Sequence, residues 1–175
     1  EPPKILDKMI LWNGRGGAPR AAPGDYPVTL TLGEHEVKAT GRIGKDPRTT
    51  ATVAELQDRY RLSRRCRDAV TKAHEAIETM RRLREQMQTV TDRAEGDAKD
   101  KLDKQRADTA AALTAIEEQL YQTKSQSGQD PLNFPIKLTD KLLGVLSATD
   151  HAEFGPTAGQ KAVADELIAA IDAEL

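Results

Sequence analysis

Apolar and polar residues alternate in one stretch near the start of the chain. From residue 26 to residue 32, tyrosine, valine or leucine occupies the even positions and proline or threonine the odd ones. This period of two predicts a half-buried β-strand. A turn at Gly33-Glu34 would let residues 37–43 return as a second strand. The apolar run from Met9 to Trp12 is a possible third strand. A sheet of only two or three strands is marginally stable in water. We therefore expect further strands or helices to cover it.

A different period begins near residue 52. Apolar residues then recur mostly three or four positions apart, as on one face of an amphipathic helix. Thr52 and Glu55 form a capping box, so a helix is predicted to begin there and to run to about residue 94. At 1.5 Å per residue it would be roughly 60 Å long. Gly96 and Asp97 are expected to end it and to cap the next helix.

Three further helices are predicted after this turn. The second, near 98–123, would be about 40 Å long and would fold back antiparallel on the first, leaving the amino-terminal half of the first uncovered. Shorter helices at 137–149 and 157–174 are expected to fill that gap. Thr157 and Gln160 supply a capping box for the last one.

These patterns predict a mainly α protein. Its architecture would be a long antiparallel helical hairpin plus two shorter helices, about a four-helix bundle, preceded by a small β-hairpin. We divide the chain into a β-strand segment at 1–51 and a helical bundle domain at 52–175. The stripe on the first helix also resembles heptads in places, which would suit an oligomer. An intramolecular bundle explains its interruptions more simply, at Ser63, Arg67 and Arg84.

The sequence QTKSQSGQDPLNFP, residues 122–135, separates the second and third helices. Its two prolines restrict the residues before them to extended geometry, as in a turn that redirects the chain. We expect Leu132 and Phe134 to pack into the end of the helices. Three side chains are expected to satisfy backbone groups: Gln126, Ser127 and Gln129. We interpret the segment as a structural turn, with a binding loop as the alternative. The candidate structural or interaction residues are Gln129, Asp130, Pro131, Leu132 and Phe134.

The composition of the chain limits the kinds of partner that it is expected to bind. The chain has 26 basic and 28 acidic residues and a net charge of −2, which gives no general attraction to nucleic acid or anionic membranes. No apolar run approaches the roughly 20 residues that span a bilayer, so membrane insertion is not expected. The first residues lack the features of a secretory signal peptide. With 3% aromatic residues, the core must be largely aliphatic.

The most basic stretch is residues 59–67, with five arginines. It could grip phosphates or an acidic partner. We favour a solvated helix face, because Asp58, Asp68 and Glu75 are close enough in sequence for ion pairs and no aromatic residues interleave the arginines in a ladder.

No residue pattern predicts catalysis, a cofactor or a metal ion. A glycosidase needs two facing carboxylates, but the acidic residues considered fall where a surface helix would carry them: Glu75, Glu78, Glu117 and Glu118. The histidines lie far apart and lack metal-binding spacing: His35, His74 and His151. Cys66 falls on the apolar face of the first helix, which predicts a buried structural thiol. The glycine-rich stretch at 14–17 lacks the lysine and the following helix of a phosphate loop.

Three segments together resemble a known family. AAPGDYPVTLTLGE resembles the hairpin that closes a small immunoglobulin-like module, and KDPRTTATVAELQDRYRLSRRCRDAV resembles the start of that family's long helix. QSGQDPLNFPIKLTDKL, followed by PTAGQKAVADEL, resembles its C-terminal signature. The combination is similar to the C-terminal region of large bacterial BNR/Asp-box, sortilin-like β-propeller proteins described as glycosyl hydrolases.

The resemblance implies that the strands at 9–12 and 26–43 end a partial immunoglobulin-like sandwich whose other strands lie upstream. It also implies an exported parent, periplasmic or extracellular, whose β-propeller would be the main partner of this chain and would carry any active site. The function expected is that of a non-catalytic structural or interaction domain. A stand-alone helical adaptor or oligomerisation module is the alternative, with possible protein partners. A glycosidase with its carboxylates on the helices is a further one.

Overall fold

The computed structural model describes residues 1–7, 9–13 and 17–175. It is mostly helical, with one small antiparallel sheet, as predicted. Most of the glycine-rich stretch at 14–17 lies outside the described residues. A short 3-10 helix covers Asp130–Leu132. The other elements are β1 (Gly24–Leu32), β2 (His35–Ile43), α1 (Val53–Asp92), α2 (Gly96–Leu120), α3 (Leu138–Asp150) and α4 (Ala158–Glu174).

Both predicted capping boxes form. Thr52 Oγ1 accepts from the Glu55 backbone N–H at 3.2 Å, and Glu55 Oε2 accepts from the Thr52 N–H at 2.7 Å. Thr157 and Gln160 make the same reciprocal bonds at the start of α4, at 3.1 and 2.9 Å. These bonds satisfy backbone donors that a helix start leaves free. They fix where α1 and α4 begin.

Helices α1 and α2 form an antiparallel hairpin. The chain reverses after Arg93, and Gly96 adopts a left-handed φ of 59° that favours glycine. Gly96 therefore serves the turn, but the predicted cap by a side chain does not form at the start of α2. Arg81 and Arg84 of α1 both contact Glu117 of α2, which places the last turn of α2 beside the carboxy-terminal third of α1.

The core lies along the amino-terminal part of α1. Helices α3 and α4 pack there, as predicted, and two ion pairs join α1 to α4: Arg65 with Asp165 and Lys72 with Asp172, each at 2.7 Å. The core is aliphatic, and its largest apolar side chains without solvent exposure are Ile77, Leu120, Leu142, Leu143 and Ile171. Among the described residues of α1 beyond Met80, only Thr91 is buried.

The N-terminal segment, defined here as residues 1–7 and 9–13, lies on the helices. The predicted third strand at Met9 to Trp12 is therefore wrong. The Asp140 carboxylate of α3 accepts the backbone N–H groups of Trp12 and Asn13 at 2.7 and 2.8 Å. Further apolar residues of the segment pack against the core: Leu6, Met9 and Leu11. The proposed division at residue 51 stays a prediction, and these contacts cross it.

Strands β1 and β2 pair along their full length, from Gly24 opposite Ile43 to Leu32 opposite His35. A two-residue turn joins them, with Gly33 at a left-handed φ of 60°. The sheet contains these two strands alone among the described residues. Neither face of the sheet is covered over most of its length.

Candidate functional site

The most unusual surface of the molecule is one side of the β-hairpin. Its valine, leucine and isoleucine residues are between 42% and 77% exposed, although their alternation predicts burial. We call this surface the hairpin face: Tyr26, Val28, Leu30, Leu32, Val37, Ala39 and Ile43.

The strand register places these residues on one side. Val28 pairs with Ala39 and Leu30 pairs with Val37, and side chains two positions apart along a strand share a face. The opposite side carries polar or charged residues together with Pro27: Asp25, Thr29, Thr31, Glu36, Lys38, Thr40 and Arg42. The hairpin is thus amphipathic, like a sheet with one face in a core and one in water.

Two contacts shape the base of the hairpin face. The Tyr26 hydroxyl donates to the Ala22 carbonyl at 2.6 Å, which ties β1 to the chain before it. Gly41, opposite Tyr26, leaves room for Val28, because a Cβ there would lie 3.0 Å from Val28 Cγ2. These contacts position an ordered apolar surface.

Covering this surface would release considerable free energy. Burying one exposed valine, leucine or isoleucine side chain stabilises the covered state by about 1.5–3 kcal/mol relative to the exposed one. Five such residues on the hairpin face are already partly shielded, so a full cover would contribute roughly 5–10 kcal/mol before ordering costs. That amount is similar to the total stability of an ordinary domain, about 5–15 kcal/mol.

The loop at 122–135 is organised mainly by Asp130. Its carboxylate accepts the backbone N–H groups of Gln126 and Ser127 at 2.6 and 2.8 Å, and the Ser127 hydroxyl at 3.1 Å. The two backbone bonds are the main cause that lowers the pKa of Asp130. Two further bonds are secondary: the Gln129 N–H donates to Ser127 Oγ, and Gln122 Nε2 donates to the Pro135 carbonyl. Asp130 thus takes the main role predicted for the neighbouring glutamine and serine side chains.

Leu132 and Phe134, the two apolar residues predicted to anchor this loop, are less buried than expected. Leu132 is 71% exposed, so the expectation that it packs into the end of the helices is wrong. Phe134 and Pro131 are half-buried, and Gln129 is exposed. The 3-10 helix turns Leu132 outward while the Asp130 carboxylate closes the turn.

Glu117 was predicted on the helix surface and is instead buried. Its carboxylate accepts from Arg81 Nε at 2.8 Å and from Arg84 Nη1 at 2.6 Å. The signal was present in the sequence, because Glu117 stands four residues after Leu113 and three before Leu120, on the apolar side of α2. Both oxygens are engaged, so this carboxylate links two helices.

Cys66 is fully buried, as predicted. Burial raises the pKa of its thiol to about 11, which keeps it protonated at neutral pH. His74 is also fully buried, with its Nδ1 2.6 Å from the Lys4 carbonyl. The described residues contain no group of three side chains suited to hold a metal ion.

The basic stretch at 59–67 is mostly paired. Arg61 contacts Asp58 and Arg67 contacts Asp68, as predicted. The predicted pairing of Glu75 with this stretch does not form, because Glu75 lies 3.9 Å from Lys4. The sequence also gave no indication that Arg59 is buried.

Comparison of the chain with protein-family models, with curated proteins and with solved structures found no match. The resemblance stated above stays a prediction. Among the described residues, no helix is both long and apolar enough to span a bilayer.

Proposed function

We propose that this chain is a non-catalytic structural or interaction domain at the C-terminal end of a larger, exported, propeller-type protein similar to glycosyl hydrolases. The observation that carries the proposal is the uncovered hairpin face. An ordered sheet with a polar side and an exposed apolar side suits a protein in which further structure lies against the apolar side.

The cover we propose is a second β-sheet from the upstream part of the same polypeptide, which would complete an immunoglobulin-like sandwich. Packed sheets lie about 10 Å apart and bury alternating side chains of this kind. A second observation supports a sandwich: the bond from the Tyr26 hydroxyl to the Ala22 carbonyl matches the tyrosine corner found at one strand of immunoglobulin-like domains.

The helical part would then act as a four-helix bundle that supports the sandwich and packs on the β-propeller. Its notable polar groups already hold structure together. Glu117 bridges two arginines, Asp130 closes a turn, and Asp140 binds the N-terminal segment. These roles support a chain without a catalytic centre of its own.

The experiment compares the 175-residue chain with the native gene product. Intact mass and the sequence upstream of Glu1 come first: a product far above 19.2 kDa with propeller repeats is expected. Leu30→Asp should then destabilise the longer product, because it places a charge inside the sandwich. Thr31→Asp, on the polar side, is the matched control and should have little effect.

In the 175-residue chain, neither variant should change stability much, because both positions are exposed. Hydrogen exchange at the amides of β1 should be slower in the longer product. Equal tolerance of both variants in the longer product would contradict a covered hairpin face. A native product that begins near Glu1 would remove the propeller from the proposal.

A second function is supported by the far end of the α1–α2 hairpin. An open cleft of about 510 Å³ lies between the helices there. It is lined in part by Met87, Val90, Leu102 and Thr109, and Val90 is 55% exposed. A helical adaptor or oligomerisation module would use this end to bind a partner helix or a second copy.

Sedimentation as a function of protein concentration tests the oligomer. A dimer that Val90→Glu disrupts and that the exposed control Gln86→Glu leaves intact would favour this function. A monomer at all concentrations would argue against self-association through the cleft.

A further inference from the structure

A small cavity of about 170 Å³ lies where the β-hairpin meets the helices. Its walls come from the chain before β1, from the end of β2 and the segment after it, from α1, and from the residues after α3. We call it the junction cavity and define it by its charged lining residues: Arg20, Lys45, Asp46, Arg59 and Glu153.

Arg59 is the central group of the junction cavity. It is 6% exposed, and its Nη1 donates to the Ala152 carbonyl at 2.9 Å. Its Nε has no hydrogen-bond partner among the described residues and no contact with solvent. A buried arginine is normally paired with an anion, because an unpaired buried charge is costly. The pKa of Arg59 is lowered first by burial and then by the nearby Arg20, while Asp150 acts in the opposite direction.

Neither of the other two cations leaves a carboxylate free to pair with Arg59. Arg20 is paired with the Asp150 carboxylate. Its backbone N–H donates to that carboxylate at 2.8 Å, and its Nε lies 3.5 Å from Asp150 Oδ2. Lys45 Nζ donates to the carbonyls of Thr49 and Ala51 at 3.1 and 3.0 Å. No carboxylate lies within salt-bridge distance of Lys45 in the described part of the chain.

The remaining acidic groups stand at the edge of the cavity. Both oxygens of Asp46 are bound by the Arg48 side chain, at 3.1 and 2.7 Å, which lowers the pKa of Asp46 to about 2. Glu153 is exposed, and within the described residues it has no cation at salt-bridge distance. The charged lining residues are therefore three cations and two anions, a net charge of +1.

We propose that the junction cavity binds a small oxyanion, a carboxylate or phosphate group, through Arg59 with help from Arg20 and Lys45. Arg59 forms part of the cavity wall and would supply a buried positive charge, while the exposed side chains of Arg20 and Lys45 would contact the oxyanion from the open side. The volume is adequate, because a water molecule occupies about 30 Å³ of liquid and one oxyanion with a few waters fits into the cavity. Bonds from arginine to oxyanions are among the stronger hydrogen bonds in proteins.

Such a site lies between the sheet and the helices. A bound oxyanion would contact Arg20 before β1, Lys45 after β2 and Arg59 on α1. It would thereby hold the base of the hairpin against the helices. This role does not depend on the function proposed above.

The test is calorimetric titration of the 175-residue chain with inorganic phosphate and, separately, with acetate, in a chloride buffer of constant ionic strength. Saturable one-to-one binding is expected for at least one of the two, and the comparison tells phosphate from carboxylate. Arg59→Met should weaken binding at least about tenfold, which equals about 1.4 kcal/mol. Arg61→Met removes an exposed arginine on the same helix and should leave the affinity unchanged.

Glu153→Gln provides a test that does not disturb the interior. Because it removes a negative charge at the cavity edge, it should strengthen binding about two- to fivefold, with the gain shrinking as salt increases. Circular dichroism checks that each variant is folded. If Arg59→Met does not fold, Glu153→Gln decides: an unchanged affinity would overturn the proposal. Absence of saturable binding to the wild-type chain, or equal loss in Arg59→Met and Arg61→Met, would also overturn it.

Discussion

Glu117 holds the two long helices together, and its loss should be measurable. Glu117→Gln removes the charge and keeps the size, so Arg81 and Arg84 lose their shared anion. Breaking a fully buried pair costs about 3–5 kcal/mol. The two arginine side chains here are still 38% and 24% exposed, so water compensates in part. We expect a loss of about 1–3 kcal/mol in the free energy of unfolding.

Urea denaturation followed by far-ultraviolet circular dichroism measures this loss. Glu118→Gln is the matched control, because it removes an exposed carboxylate from the next position of α2 and should change stability by less than about 0.5 kcal/mol. In a double-mutant cycle with Arg84→Met, the two losses should not add, because the residues are in contact. Equal effects of Glu117→Gln and Glu118→Gln would refute the bridge as a source of stability.

Three further predictions concern buried or half-buried groups. Asp140→Ala should cost about 1–3 kcal/mol and speed hydrogen exchange at the Trp12 amide, because that N–H loses its acceptor; unchanged exchange would contradict the contact. Burial lowers the pKa of His74, so the unfolded chain binds a proton first and stability should fall as the pH drops below about 6.5. In urea titrations at several pH values, His74→Gln should lessen that fall. Phe134→Ala should lower stability by about 1–2 kcal/mol, because the ring is half-buried, and the exposed control Leu132→Ala should leave the melting temperature almost unchanged.

The helices could be predicted because their signals are local. Capping boxes at Thr52 and Thr157 fixed two starts, and the apolar period gave the number and approximate length of all four helices. The end of α2 at Leu120 comes three residues earlier than predicted. Helix ends are less certain because few side-chain interactions specify them.

The N-terminal segment could not be predicted in the same way. The apolar run from Met9 to Trp12 has no period that separates a strand from another buried segment. Its position depends on Asp140, which is 127 residues away from Asn13 in sequence. Single-sequence patterns carry no information about such a pair.

The sequence predicts the apolar side of the hairpin but not its exposure. The alternation from Tyr26 to Leu32 correctly predicted a strand with one apolar side. Whether that side is covered depends on its neighbours and not on the strand itself. Arg59 was missed for a related reason, since a basic run gives no sign of which arginine points inward.

The attachment of the N-terminal segment to α3 has a consequence for the order of events during synthesis. Asn13 leaves the ribosome 127 residues before Asp140. At about 5–20 residues per second, the segment waits roughly 6–25 s for the helix that receives it. Throughout that interval Leu6, Met9 and Leu11 have no core to pack against and are open to chance association with neighbouring nascent chains. Slow closure of this kind makes the early part of the chain the stretch that most needs a chaperone.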